Sequence, residues 1–267
     1  MYVCDYHIHS DISFDGKDSI LALARAAASA GLSEICVTDH CDIDTASSGA
    51  LAYDCGKYMQ ELEKARSEAG GAVRLRAGVE LGQPLWDAAL AGRILSREFD
   101  FVIGSIHADG AGEDYYFKKY GGREECLGLI GEYLADVKAM CLWGGFSVLG
   151  HLTYPLRYMR GREGFDVDFL PFQEEIREIF GIIIDSGMGI EVNCSGLFSN
   201  IGETLPPLSL LSLYRECGGC VITIGSDSHS ARHVGRGIKE GRELLKTAGF
   251  RYFSVFEKMK PSMIGLD

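Results

Sequence analysis

Short apolar runs alternate with helix-like stretches along the whole chain, and few folds tolerate that rhythm. The runs lie at residues 1–8, 34–38, 73–80, 101–105, 146–150, 189–193 and 221–225. The helix-like stretches lie at 19–30, 53–69, 85–95, 124–142, 172–186, 208–216 and 237–248. FVIGS at 101–105 and VITIG at 221–225 are nearly continuous apolar strands, the pattern of parallel strands buried on both faces. The stretch 19–30 is rich in Ala and Leu and stops at Gly31, a favoured residue just past a helix end. Tandem βα units with no linker-like segment predict one α/β domain over residues 1–267. A closed or nearly closed TIM-like barrel of this length is favoured over an open sheet. No GxGxxG follows the first strand, so a dinucleotide-binding reading lacks its fingerprint.

Composition removes other classes. The chain is 46% hydrophobic with only 6 Pro, too apolar for disorder. Its 26 Lys+Arg against 38 Asp+Glu give −12, which argues against duplex nucleic acid or an anionic membrane as partner. No run approaches the roughly 18 apolar residues of a membrane span. MYVCDYHIHS lacks the order of a signal peptide. An odd number of cysteines, 9, in a long chain predicts free thiols in a reducing, cytoplasmic compartment. Cys4, Cys36, Cys141 and Cys194 lie in apolar stretches and read as small core residues. Cys217 and Cys220 have CxxC spacing, but no second CxxC accompanies them, and the spacing reads as coincidence.

Six of the 7 histidines stand at or just after a predicted strand end: His7, His9, His40, His107, His151 and His229. Asp39, Glu80 and Asp227 hold similar positions. In a parallel barrel all these ends open onto one face. A lone strand-end His is more often a hydrogen-bonded core residue. Six of them with carboxylates are hard to assign to packing, because imidazole needs polar partners. Divalent metal is the economical explanation, and imidazole with carboxylate suits Zn, Fe or Mn. His7 and His9 alternate onto one strand face, as do Asp227 and His229. Asp39 is either an orienting partner or a turn residue. Asp15, in SFDGKDS, also reads as an ordinary turn. Nine candidate ligands exceed what one ion takes, which predicts two to three ions and a hydrolytic reaction on a phosphate ester.

These motifs, taken in order, resemble the PHP superfamily (polymerase and histidinol phosphatase). They are His7-x-His9, Thr38-Asp39-His40, Glu80, Ser105-Ile106-His107, Gly150-His151 and Gly225-Ser226-Asp227-Ser228-His229. The likeness covers nearly the whole chain. Its C-terminal half, EVNCSGLF and LPPLSLLSLYRECGGCVITIGSDSH, is most similar to the histidinol-phosphatase branch. The resemblance implies a distorted seven-stranded (β/α)7 barrel and a trinuclear metal cluster. By that carry-over His7, His9, Glu80 and Asp227 serve one ion. Glu80, His107 and His151 serve a second, and Asp15, His40 and His229 a third. It also implies hydrolysis of L-histidinol phosphate in histidine biosynthesis, by in-line attack of a metal-bound hydroxide. Another small phosphate ester, such as a nucleotide or phosphotyrosine, is the first alternative. An amidohydrolase-like metal hydrolase is the second, disfavoured by the paired Asp227-x-His229.

A small phosphorylated substrate needs positive charge besides metal. Arg157, in HLTYPLRY just past His151, suits two parallel bonds to phosphate. Arg232 and His233 follow the last motif and are further phosphate candidates. Lys118 and Lys119 beside Tyr115, Tyr116 and Phe117 read equally as a lid or a solvated loop. Asn193 and Ser195 either bond substrate or shape the loop after the sixth strand. The loop 108–122 matches no motif.

Overall fold

A computed structural model describes residues 1–44, 49–50 and 53–266. Nine strands form the main sheet: β1 (Cys4–Ile8), β2 (Glu34–Val37), β3 (His40–Asp44), β4 (Gly49–Ala50), β5 (Arg74–Gly82), β6 (Phe101–Ser105), β7 (Val148–Leu149), β8 (Gly189–Asn193) and β9 (Ile222–Gly225). Seven of them run parallel in the order β1-β2-β5-β6-β7-β8-β9. The ring nearly closes where the chain beyond β9 meets β1. There Ile8 bridges Ser228 in parallel, and Asp227 N–H donates to the His7 carbonyl at 2.8 Å. The helices between strands include α1 (Ile20–Ser29), α2 (Cys55–Glu68), α3 (Ala88–Leu95), α4 (Arg123–Trp143), α5 (Leu156–Met159), α6 (Gln173–Asp185), α7 (Leu208–Glu216) and α8 (Ile238–Thr247). This is the seven-stranded (β/α) barrel that the alternation and the resemblance predict.

Local chemistry explains the element ends. The Ser19 hydroxyl accepts from Ala22 N–H and caps α1, and Asp54 caps α2 by accepting from Lys57 N–H. Apolar side chains at helical spacing, such as Ile176, Ile179, Phe180 and Ile183 of α6, bury the inward face of each helix. Cys4, Cys36, Cys141 and Cys194 are buried as expected, and every cysteine is a free thiol. Cys217 is half-buried and Cys220 exposed, with no bond between them.

Two elements differ from the expectation. The second strand does not simply end at Thr38. After two residues the chain resumes as β3 and pairs with the far half of β5, setting His40 opposite Glu80. β5 is therefore longer than its neighbours and serves β2 with one half and β3 with the other. Beyond α8 the chain forms an antiparallel hairpin, β10 (Tyr252–Glu257) with β11 (Lys260–Gly265). Its Phe256 ring lies 5.0 Å from Phe101 and 6.5 Å from Tyr6, plugging the barrel end opposite the histidines. Among the described residues no helix is long and apolar enough to cross a membrane.

Candidate metal centre

The strand registers bring residues from position 7 to position 229 together. Barrel closure lays Asp227 against His7, and the β3–β5 register lays His40 against Glu80. His7 Nε2 and His9 Nε2 lie 3.2 and 3.5 Å from Glu80 Oε2. The same nitrogens lie 3.7 and 3.5 Å from Asp227 Oδ1. On the other side of Glu80, Oε1 is 2.8 Å from His151 Nε2 and 3.2 Å from His107 Nε2. His229 Nε2 is 2.9 Å from Asp15 Oδ2, and His40 Nε2 is 3.7 Å from that oxygen. All nine candidate ligands thus converge, with Glu80 central to two of the groups.

The donor set fits divalent ions. His7 Nε2, His9 Nε2, His40 Nδ1 and Glu80 Oε2 are buried without a hydrogen-bond partner among the described residues. Each such orphan costs roughly 1–3 kcal/mol unless something else satisfies it. Ligand atoms about 2.0–2.1 Å from a tetrahedral zinc stand roughly 3.3 Å apart, close to the spacings around His7, His9, Glu80 and Asp227. Among the described residues, four groups of three or more side chains have donor atoms all within 4.8 Å of one another. These are His9-Asp15-His40-His229, His7-Glu80-His151, His7-His9-Asp227 and His40-Asp42-His107.

Outer partners fix the imidazole tautomers. Glu191 Oε1 lies 2.7 Å from His7 Nδ1, so that nitrogen carries the proton and Nε2 faces the cluster with its lone pair. Asp42 Oδ1 does the same for His107 Nδ1 at 3.0 Å. Asp39 is buried behind the cluster, with its carboxylate taken up by serines. It accepts from the Ser10 N–H, the Ser10 hydroxyl and the Ser13 hydroxyl, and Ser13 Oγ stands 3.2 Å from His9 Nδ1. Asn193 donates to Glu191 and Asp227 at 3.3 Å. Two glycines make room for this shell. A Cβ on Gly225 would meet Glu191 Oε1 and His7 Cβ at 2.4 Å, and one on Gly82 would meet Asp42 Oδ1 at 1.7 Å. Asp227 has φ 55°, a left-handed conformation that Asp tolerates better than most residues.

Electrostatics split the cluster, keeping its carboxylates charged and His9 neutral while surrounding His7 with negative charge. His9 is held well below the usual imidazole range by burial and by the repulsion of positive charge on His229 and His40, whose ring centroids are 4.2 and 4.3 Å away. Burial would raise Glu80, but His7, His40 and His107 hold it well below the usual carboxylate range. Asp227 is likewise held down against burial by His7, His9 and Arg157. Burial would lower His7, yet Glu191, Glu80 and Asp227 hold it up. That balance shows how much negative charge surrounds it.

The cluster forms the floor of a cavity of about 570 Å³. Arg157 lines it, donating to Ser195 Oγ at 2.6 Å and Asp227 Oδ2 at 2.9 Å. Ser195 therefore positions the guanidinium. Arg232 and His233, expected to bind phosphate, do not line the cavity. They sit in a short turn in which Arg232 is exposed and its Nε lies 3.0 Å from His233 Nε2. Lys118 is bound within its own loop by Asp109 at 2.5 Å and Glu113 at 3.1 Å. Lys17, which the motifs did not single out, does line the cavity. Asp42, Glu191 and Asp114 were also missed. The spacing His40-x-Asp42 and the lone acid in GIEVN were the available signals for the first two.

Comparison with known proteins agrees with this geometry. The PHP domain model matches residues 5–195. A protein of Lactococcus lactis subsp. lactis named histidinol-phosphatase is 30% identical over 263 residues, 96% of this chain and 95% of its own. A Thermotoga maritima protein named "Probable histidinol-phosphatase" is 29% identical over 253 residues, 94% of each chain. The crystal structure of histidinol phosphate phosphatase from Lactococcus lactis subsp. lactis, complexed with zinc, L-histidinol and phosphate, superposes with a TM-score of 0.82. That match is 26% identical and covers 97% of this chain and 98% of the other. With more than half its length matched by one family model and the strand-end histidines and carboxylates gathered on one barrel face, this chain belongs to the PHP domain family.

Proposed function

We propose that this protein is a metal-dependent phosphomonoesterase that hydrolyses L-histidinol phosphate to L-histidinol and phosphate, in the cytoplasm. The observation that carries the reading is the full-length likeness to a histidinol phosphate phosphatase together with the unpartnered donor atoms of the strand-end cluster. His7, His9, Glu80 and Asp227 would hold one ion, Glu80, His107 and His151 a second, and Asp15, His40 and His229 a third. Zn, Fe and Mn suit this mixture of imidazole and carboxylate. Such ions supply Lewis acidity toward the phosphoryl oxygens and lower the pKa of water.

The protein's own residues do the rest. Arg157, pinned by Ser195 and Asp227, offers its guanidinium to the phosphate at the cavity floor. Glu191 and Asp42 keep the His7 and His107 lone pairs aimed inward. Tyr154, with its ring centroid 4.9 Å from His151 and 5.2 Å from His107, shields that side from water. A phosphate-release panel tests the reading. Histidinol phosphate should be cleaved with kcat/KM of roughly 10⁴ M⁻¹s⁻¹ or more, well above p-nitrophenyl phosphate, phosphotyrosine and nucleoside monophosphates. Cleavage of p-nitrophenyl phosphate with no preference for histidinol phosphate would leave a phosphoesterase but remove the substrate.

A further inference from the structure

We infer that Asp114 is the residue that selects the substrate's ammonium group, and so sets specificity within the cavity. The inference rests on the histidinol phosphate reading and assigns its non-phosphate end. Five carboxylates line the cavity. Asp15, Glu80 and Asp227 belong to the donor cluster, and Asp42 is engaged with His107 Nδ1. Asp114 is different. Its Oδ1 accepts only from the N–H of Tyr116 at 2.7 Å, and its Oδ2 has no hydrogen-bond partner among the described residues. No Lys, Arg or His among those residues comes within ion-pairing distance of it. A carboxylate without a cationic partner disfavours an anionic group beside it and favours a phosphate ester that places a cation there.

The carboxylate is also held in place. Tyr115 N–H donates to the carbonyl of His107 at 3.0 Å, and Asp114 bridges Ala108, so the loop is keyed to the end of β6. Arg162 donates to the carbonyls of Tyr116 and of Lys118, the latter at 2.5 Å. Tyr120 donates to the Tyr115 carbonyl at 2.9 Å. Tyr116 packs edge-on against Tyr158 at 5.6 Å, and both rings line the cavity with Asp114. Aromatic walls beside a fixed carboxylate favour an ammonium.

The test is a substitution crossed with a substrate change. Asp114→Asn keeps an oxygen to accept the Tyr116 N–H, so the loop turn survives. kcat/KM is measured for both proteins on histidinol phosphate and on its amine-free analogue, 3-(imidazol-4-yl)propyl phosphate. On histidinol phosphate the variant should lose roughly 10- to 100-fold, mainly through KM, the scale of a hydrogen bond to a charged group. On the amine-free analogue the loss should shrink to a few-fold or reverse. Equal losses on both, or no loss on histidinol phosphate, would overturn the assignment while the substrate reading stands. A wild-type enzyme without preference for histidinol phosphate would instead remove the substrate reading, and this assignment with it.

Discussion

Two glutamates, Glu34 and Glu80, are fully buried at opposite ends of the barrel, and their surroundings differ in kind. Glu34, at the hairpin end, is satisfied by the protein alone. It accepts from the hydroxyls of Tyr2 (3.0 Å) and Tyr6, and from Arg76 (3.0 Å) and Arg74 (3.3 Å). Glu80, at the open end, accepts from the Ser105 hydroxyl at 2.7 Å and otherwise faces imidazole nitrogens, with Oε2 unpartnered. A charge that serves the fold is completed by the fold. A charge that serves chemistry is left incomplete until a ligand arrives. The same contrast separates Phe256 and Phe101, packed to exclude water, from the histidine rings, which share a floor with a cavity.

The largest expected effects fall on this pair and run in opposite directions. Glu80→Gln should lower phosphatase kcat/KM by about 10²–10³-fold or more, the scale of losing one preorganised electrostatic group. Metal content should fall with it, measured on the same protein. Glu34→Gln should destabilise the fold by about 1–3 kcal/mol in denaturant titration, because it removes the charge that Tyr6 and Arg76 hydrogen-bond, although Arg76 keeps Glu257 and Arg74 is largely exposed. Its activity per folded molecule should hold. If Glu34→Gln lost metal, or Glu80→Gln kept both metal and activity, the division between the two ends would fail.

Smaller effects sharpen the picture inside the open end. Arg157→Ala should weaken binding of the phosphate end by about 1.5–3 kcal/mol, the value of a hydrogen bond to a charged group, read as a raised KM and weaker phosphate inhibition. Unchanged kinetics would remove Arg157 from the substrate. Glu191→Gln should cost about 10- to 100-fold in metal affinity or activity, as outer partners of ligating histidines do. A metal titration matching that of the unsubstituted protein would reduce Glu191 to a packing residue.

Much of the open end was legible because two regularities compound. Alternation places His7 with His9, and a parallel barrel collects all C-terminal strand ends on one face. Asp42 and Glu191 escaped for a related reason. β3 begins two residues after β2 ends, so the stretch from His40 looks like a loop and Asp42 like a loop acid. Glu191 lies inside an otherwise apolar strand, and only the register of β8 against β9, with Gly225 leaving space, turns it toward His7. Arg232 and His233 follow a metal motif in sequence, yet the turn after Ser230 carries them away from the cavity. The loop holding Asp114 is shaped by Arg162, which comes from 44 to 46 positions further along the chain, and no local pattern carries that information. The closing hairpin escaped because its role is set by Tyr6 and Phe101, far away in sequence.

Metal titration of chelator-stripped protein tests the central claim most directly. Zn, Mn or Fe is added back stepwise, with bound metal and phosphate release from histidinol phosphate followed together. The account predicts no activity without metal and a plateau at two to three equivalents per chain. Full activity in the stripped protein, or restoration by a single equivalent with no further binding, would contradict it.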